Sequence, residues 1–169
     1  NKTLSGGMGG AVALRSNSIL NGDKLHFQNN HAQGKGGAVY AEESSSQKTC
    51  RIRLRDSTLQ GNSASFGSGA GGGIYARNSV DVRLERVRFV DNQASTSGGG
   101  LFLYDIGGEV VISGSEFRRN KARSGSGGGI SAAARGADRQ VLLKISDTLF
   151  KENSASIYGG GLSLGDTIH

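Results

Sequence analysis

Apolar and polar residues alternate along four stretches: Arg51-Ile52-Arg53-Leu54-Arg55, Asp81-Val82-Arg83-Leu84, Glu109-Val110-Val111-Ile112 and Val141-Leu142-Leu143-Lys144-Ile145. A period of two is the signature of a strand with one buried face. No stretch shows a convincing 3.6-residue period, so the pattern predicts almost no helix. Two short words recur in strict alternation around these runs. The first is Gly-Gly-(Gly/Ala)-aliphatic: Gly9-Gly10-Ala11-Val12, Gly36-Gly37-Ala38-Val39-Tyr40, Gly71-Gly72-Gly73-Ile74-Tyr75, Gly98-Gly99-Gly100-Leu101-Phe102, Gly127-Gly128-Gly129-Ile130 and Gly159-Gly160-Gly161-Leu162. The second is Phe-x-x-Asn-x-Ala, starting at Phe27, Leu59, Phe89, Phe117 and Phe150, with Leu59 alone breaking the aromatic position.

The asparagines of the second word, Asn30, Asn62, Asn92, Asn120 and Asn153, step by 32, 30, 28 and 33 residues. That spacing suits one unit of a solenoid or propeller, with loops absorbing the irregularity. Each unit holds three strand candidates: the Gly-Gly word, the alternating run and the stretch around the Phe. Three short parallel strands per unit, with no helical crossovers, predict an all-β, right-handed parallel β-helix of about five coils and three short strands per coil. Stacking the coils about 4.8 Å apart aligns Leu54, Leu84, Ile112 and Ile145 in one column, and Ile52, Val82, Val110 and Leu143 in another. Phe27, Leu59, Phe89, Phe117 and Phe150 form a third column in the core. The five asparagines form an amide ladder that satisfies buried polar groups. Glycines fit corners where a Cβ would clash or φ is positive. Before Phe27 the alternation fails (Ile19-Leu20-Asn21-Gly22-Asp23-Lys24-Leu25), predicting a shorter strand or a bulge in the first coil. A propeller needs hairpins, and of the Asn-Gly and Asp-Gly hairpin dipeptides only Asn21-Gly22 occurs.

Composition changes the picture little. The 169 residues include 29 glycines and no proline, and the regular placement of the glycines argues against a flexible linker. The formal charge of +6 favours polyanionic partners, or solubility alone. Cys50 has no cysteine partner and reads as a buried, inert thiol. No signal peptide or apolar membrane span is present, so no direct membrane insertion is expected of this segment. Asn1 stands in mid-pattern, which predicts a single β-helix segment (1–169) of a longer surface protein.

Candidate chemistry is sparse. Gly67-Ser68-Gly69-Ala70-Gly71-Gly72 has the form G-x-G-x-x-G but lacks a following helix. His26, His31 and His169 do not stand at metal-ligand spacing, so no metal or cofactor is expected; His31 reads as an exposed turn residue. Asp56 and Asp147 share a column with Arg86 and Gly114 between them, about 14 Å apart and too far for paired catalytic carboxylates. Arg53, Arg83 and Lys144 form an outward column interrupted by Val111. With Arg86 and Arg88, and with Arg51, Arg55, Arg118, Arg119 and Lys151 nearby, they make a basic face for an acidic polymer, or a solvated sheet face that discourages aggregation. Nucleic acid is disfavoured, because most aromatics are assigned to the core. Segments 41–49, 63–70 and 132–140 read as variable contact loops. Asn1-Lys2-Thr3 is a glycosylation sequon.

The two words, from Gly9 through Leu164, resemble the chlamydial polymorphic outer-membrane protein repeats, marked by Gly-Gly-Ala-aliphatic and Phe-x-x-Asn. Four of the six first words carry Gly where that family prefers Ala. The resemblance implies an autotransporter-like β-helical passenger, extracellular or on the cell surface and used in adhesion. Expected partners are a host or cell-surface protein or an acidic polysaccharide, with end-to-end self-assembly into a filament as a further expectation. The main reading is a noncatalytic structural or adhesive rod. The alternative is a fragment of a carbohydrate-active enzyme, a polysaccharide lyase or hydrolase on a β-helix.

Overall fold

The computed structural model describes residues 1–45, 49–134 and 142–166. Among them there is no helix, and the strands wind into a right-handed parallel β-helix of about five turns. Four parallel sheets run along its axis, so each coil has four strands where the sequence pattern predicts three.

The alternating runs form one sheet: Ile19–Asp23, Cys50–Arg55, Val80–Glu85, Val110–Ser113 and Leu143–Ser146. The Phe strands form the next: His26–Gln28, Thr58–Gln60, Arg88–Val90, Glu116–Arg118 and Leu149–Lys151. The glycine-word sheet comprises Val12–Leu14, Val39–Glu43, Ile74–Asn78, Leu101–Tyr104, Ile130–Ala134 and Leu162–Asp166. The additional sheet is made of two-residue strands: Lys2–Thr3, His31–Ala32, Ser63–Ala64, Gln93–Ala94, Lys121–Ala122 and Ser154–Ala155. Its origin is the Asn-x-Ala of the second word. Asn and Ala, two residues apart, both point inward, which is the period of a strand. Two residues are too few to show as an alternating run.

Register fixes the core. Ile52, Val82, Val110 and Leu143 pair in succession, as do Leu54, Leu84, Ile112 and Ile145. Phe27, Leu59, Phe89, Phe117 and Phe150 pair likewise. The rings of Phe89, Phe117 and Phe150 stack at 4.5 and 5.2 Å between centroids. A column stacked at strand spacing buries the Phe117 ring between Phe89 and Phe150, so each coil depends on its neighbours for its core.

The first coil holds no bulge. Ile19–Asp23 pairs residue for residue with Arg51–Arg55, which puts Gly22 in the inward column beside Leu54. A Cβ at Gly22 would lie 2.4 Å from Leu25 Cδ1, so Leu25 fills the volume that the other coils fill from the strand itself. The alternation fails in the sequence because the apolar side chain is supplied three residues later.

The asparagines bind coil to coil. The Asn62 main-chain N–H and its Nδ2 both donate to Asn92 Oδ1, at 3.0 and 2.9 Å, and Nδ2 also donates to Phe27 O. Asn92 repeats the set with Asn120 Oδ1 and Leu59 O, and Asn120 with Asn153 Oδ1 and Phe89 O. Asn30 donates to Asn62 Oδ1 from both nitrogens. Asn1 Nδ2 donates to Asn30 Oδ1 at 2.9 Å, so Asn1 is a further rung, and the amide read from sequence as a glycan acceptor is engaged here.

Corners are set by backbone conformation. Lys24, Asp56, Arg86, Gly114 and Asp147 occupy one left-handed corner, with φ from 46° to 56°, and Asn29, Gly61, Asp91, Arg119 and Glu152 a second, with φ from 51° to 64°. Gly98 makes a third kind of corner at φ 66°, inside the glycine word. At the next residue, a Cβ on Gly99 would lie 2.4 Å from Gly128 O of the following coil. At Gly100 a Cβ would meet Gly129 O at 2.7 Å and Phe117 Cδ1 at 3.2 Å. The third glycine therefore makes room for a ring in the column. The coil with Ala38 there carries Leu59 instead of Phe, and Ala11, in the coil with Phe27, is exposed.

Asn92→Ala removes the acceptor of two Asn62 donors and takes the Nδ2 donor from Leu59 O and Asn120 Oδ1. Urea denaturation should show stability lower by about 3 kcal/mol or more, because buried polar groups lose their partners. Gln93→Ala, one residue away on the outer side, should stay within about 0.5 kcal/mol of the parent.

Candidate functional site

The outer face of the alternating sheet carries the basic column read from sequence. Asn21, Arg53, Arg83, Val111 and Lys144 follow one another in register across five coils. Arg53 and Arg83 are exposed neighbours in adjacent coils. They line an open groove of about 380 Å³ together with Asn21, Asp23, Arg55 and Glu85.

The remaining cations of the expected binding set are already engaged. Arg86 donates to both oxygens of Asp56, at 2.7 and 2.9 Å, and also contacts Glu85. Arg88 Nε reaches Glu116 at 2.9 Å, and Lys144 Nζ reaches Glu109 at 2.9 Å. Arg119 clasps Asp91 with two bonds of 2.7 and 2.8 Å, and Arg55 Nε bonds Asp23 at 3.0 Å. Each of these pairs except Arg86 with Glu85 spans adjacent coils. The geometry of the corners explains two of them: Asp56 and Arg86 occupy the same left-handed position one coil apart, as do Asp91 and Arg119. The hydrogen bond from Arg86 holds the Asp56 carboxyl below its ordinary value, that from Arg119 does the same for Asp91, and that from Lys144 for Glu109. Arg53 and Arg83 form no ion pair among the described residues.

The histidines stand apart. His26 is exposed on a Phe strand. His31 is not a free turn residue: it opens a two-residue strand and its ring nitrogens meet Ser63 Oγ at 2.8 Å and Ser65 Oγ at 3.1 Å. His169 lies outside the described residues. Cys50 is fully buried, one inward step before Ile52. The expected contact loops are shorter than read from sequence, because Ala41–Glu43, Ser63–Ala64 and Ala132–Ala134 belong to strands. Of these segments, 46–48 and 135–140 lie outside the described residues.

Sequence reading placed most aromatics in the core, and here the structure corrects it. Tyr40, Tyr75 and Phe102 lie on the outer side of the glycine-word sheet, stacked at 5.4 and 5.5 Å between centroids, with Tyr104 beside Phe102 at 6.1 Å. Tyr40 and Tyr75 are nonetheless only 2% exposed, and burial raises the Tyr75 phenol to about 12. Lys35 lies 4.9 Å from the Tyr75 ring centre, and Arg77 5.3 Å from that of Tyr104. The signal was available: in three words an aromatic directly follows the aliphatic residue, and a period of two puts neighbours on opposite faces. Beside this ladder a cleft of about 640 Å³ opens between Phe102 and the following coils, and a smaller one of about 260 Å³ lies at Lys35 and Arg77.

The fold and its faces define a solenoid whose chemistry is repeated axially instead of converging at one centre. The chain belongs to the family described as right-handed β-helix region, whose model matches residues 1–167. It is similar to a protein of Escherichia coli (strain K12) described as probable autotransporter YfaL, with 30% identity over 187 aligned positions that cover 96% of this chain. The chain spans 15% of the length of that relative. No solved structure matches.

The carboxylates held low by their cations make stability depend on acid. A depressed folded-state value contributes stability above the ordinary carboxylate value of 3.8 and loses it as pH falls through the folded value. The melting temperature should hold from neutral pH to about pH 5 and fall below about pH 4, where the pairs protonate. The double variant Asp91→Asn, Arg119→Gln should show a shallower acid decline in the same thermal scans.

Proposed function

We propose that this chain is a surface-exposed, autotransporter-passenger-like β-helical segment that works without chemistry, as a rod whose alternating-strand face holds an acidic polymer through Arg53 and Arg83. The observation that carries this reading is the division of the charges. Carboxylates along the rod are bound to cations of neighbouring coils, while Arg53 and Arg83 stand side by side at an open groove with no ion pair among the described residues. Adjacent coils set these two guanidinium groups about 4.8 Å apart at the backbone, a repeat that suits an acidic chain lying across the coils. The similarity to a probable autotransporter supports a location outside the cell or on its surface.

The charge division also bears on the enzyme reading. A general acid needs a carboxyl held protonated near neutral pH. Asp56, Asp91 and Glu109 are displaced in the opposite direction by their cation partners, which supports a noncatalytic role.

Immobilised polygalacturonate and heparin are the probes, with binding and released chain ends followed together at about 20 mM and about 300 mM NaCl. Expected is binding that weakens at the higher salt, no cleavage, and a loss of about tenfold or more in Arg83→Glu. Cleavage sinks the noncatalytic reading; binding that ignores Arg83→Glu sinks the assignment of the face.

A further inference from the structure

The aromatic ladder on the outer side of the glycine-word sheet stops abruptly. Its column reads Ala13, Tyr40, Tyr75, Phe102, Ser131 and Ser163 in successive coils. The neighbouring outward column falls away at the same level, from Arg77 and Tyr104 to Ala133 and Gly165. One face of the Phe102 ring rests on Tyr75. Toward the next coil the position that would carry a further ring carries a serine. The volume so vacated is the cleft of about 640 Å³ between Phe102 and the coils of Ser131 and Ser163.

The chemistry of the walls is selective. Thr96, Ser97, Ser124, Ser126, Ser131 and Ser163 line the cleft with Tyr158 beside them; the Thr96 and Ser124 hydroxyls donate to Gly69 O and Ser95 O, and Ser97 Oγ accepts from the Ser126 N–H. Among the described residues, no charged side chain lines it. Ser131 is only 5% exposed, and its hydroxyl has no hydrogen-bond partner among the described residues. Phe102 to Ser163 spans two coil steps, about 9.6 Å, enough for one ring at van der Waals distance from Phe102 with room for its substituents.

We infer that this cleft is a binding site for a neutral saccharide, with one pyranose ring laid on the free face of Phe102 and its hydroxyls bonded to the serine-rich wall. An apolar ring face and several uncharged hydroxyls match the two sides of a hexose: C–H bonds on its faces and O–H groups around its rim. Pockets of this kind combine an apolar surface for affinity with a few polar groups for orientation. A charged sugar finds no counter-ion among the described residues here, so the site differs in ligand from the Arg53 and Arg83 face, and it lies on another sheet.

The probes are cellohexaose, maltohexaose, laminarihexaose and mannohexaose, each titrated calorimetrically into the protein. At least one should bind with an affinity that changes less than about twofold between about 20 mM and about 300 mM NaCl, because no charge is involved. Ser131→Tyr continues the ladder into the cleft; it should keep or raise the melting temperature and weaken binding by about tenfold or more. Phe102→Ala should weaken it comparably, with circular dichroism confirming the fold. No heat with any of the four hexaoses at about 10 mM, where even a millimolar site would saturate, overturns the proposal. Parental affinity in a folded Ser131→Tyr variant does the same. Salt dependence separates these results from those of the acidic-polymer assay, so either site can fail alone.

Discussion

A coil of this molecule has no inside of its own. Some thirty residues folded into four short strands enclose a layer one side chain thick, and that layer is buried only when another lies above and below it. What decides how one layer sits on the next is the amide ladder through Asn1, Asn30, Asn62, Asn92, Asn120 and Asn153. From Asn30 onward each amide oxygen takes two donors from the preceding coil, and from Asn62 onward each amide nitrogen reaches back to a main-chain carbonyl of the preceding Phe or Leu column. A displacement of one residue would leave these buried groups without partners, at a cost that stacked apolar residues alone would not impose. The apolar columns supply the burial and the asparagines supply the alignment.

Alignment of the interior aligns the exterior. Equivalent corners stack, so an acid in one coil finds a base in the next at the same left-handed position, as Asp56 finds Arg86 and Asp91 finds Arg119. Such exposed pairs contribute little to stability one at a time. Their effect on function is larger, because they pair off opposite charges and leave Arg53 and Arg83 as neighbours without ion pairs among the described residues. On another sheet the same stacking builds the ring ladder Tyr40, Tyr75 and Phe102, and a change from aromatic to serine in the next coil turns a column into a cleft. Both candidate sites are thus interruptions of a repeat.

Sequence and structure agree where the repeat is strong. The inward columns follow from the alternating runs, because a period of two in four successive units sets which residues of each strand face the core. The four sheets do not follow, because Asn-x-Ala is too short to announce itself as a strand. Gly22 was misleading for a related reason: the pattern records which residue occupies a place along the chain, while the core records only that the volume is filled, and Leu25 fills it. The engagement of Arg86, Arg88 and Lys144 was hidden because it depends on residues 28 to 35 positions away that meet only once the coils are stacked. The outer rings were visible as Tyr40, Tyr75 and Phe102 after the aliphatic residue of the word, yet the sequence reading assigned most aromatics to the core.

The direction of the hydrogen bonds has a mechanical corollary. In a solenoid the strands lie across the axis and the bonds between them lie along it, so tension on the two ends acts on those bonds directly. It can open one coil at a time, since each coil is bonded only to its neighbours. A coil contributes about 4.8 Å to the folded length and about 100 Å once drawn out as a chain of roughly thirty residues. Pulled from a distance, such a rod would lengthen about twentyfold in successive short releases, dissipating work at each, before its covalent chain came under strain.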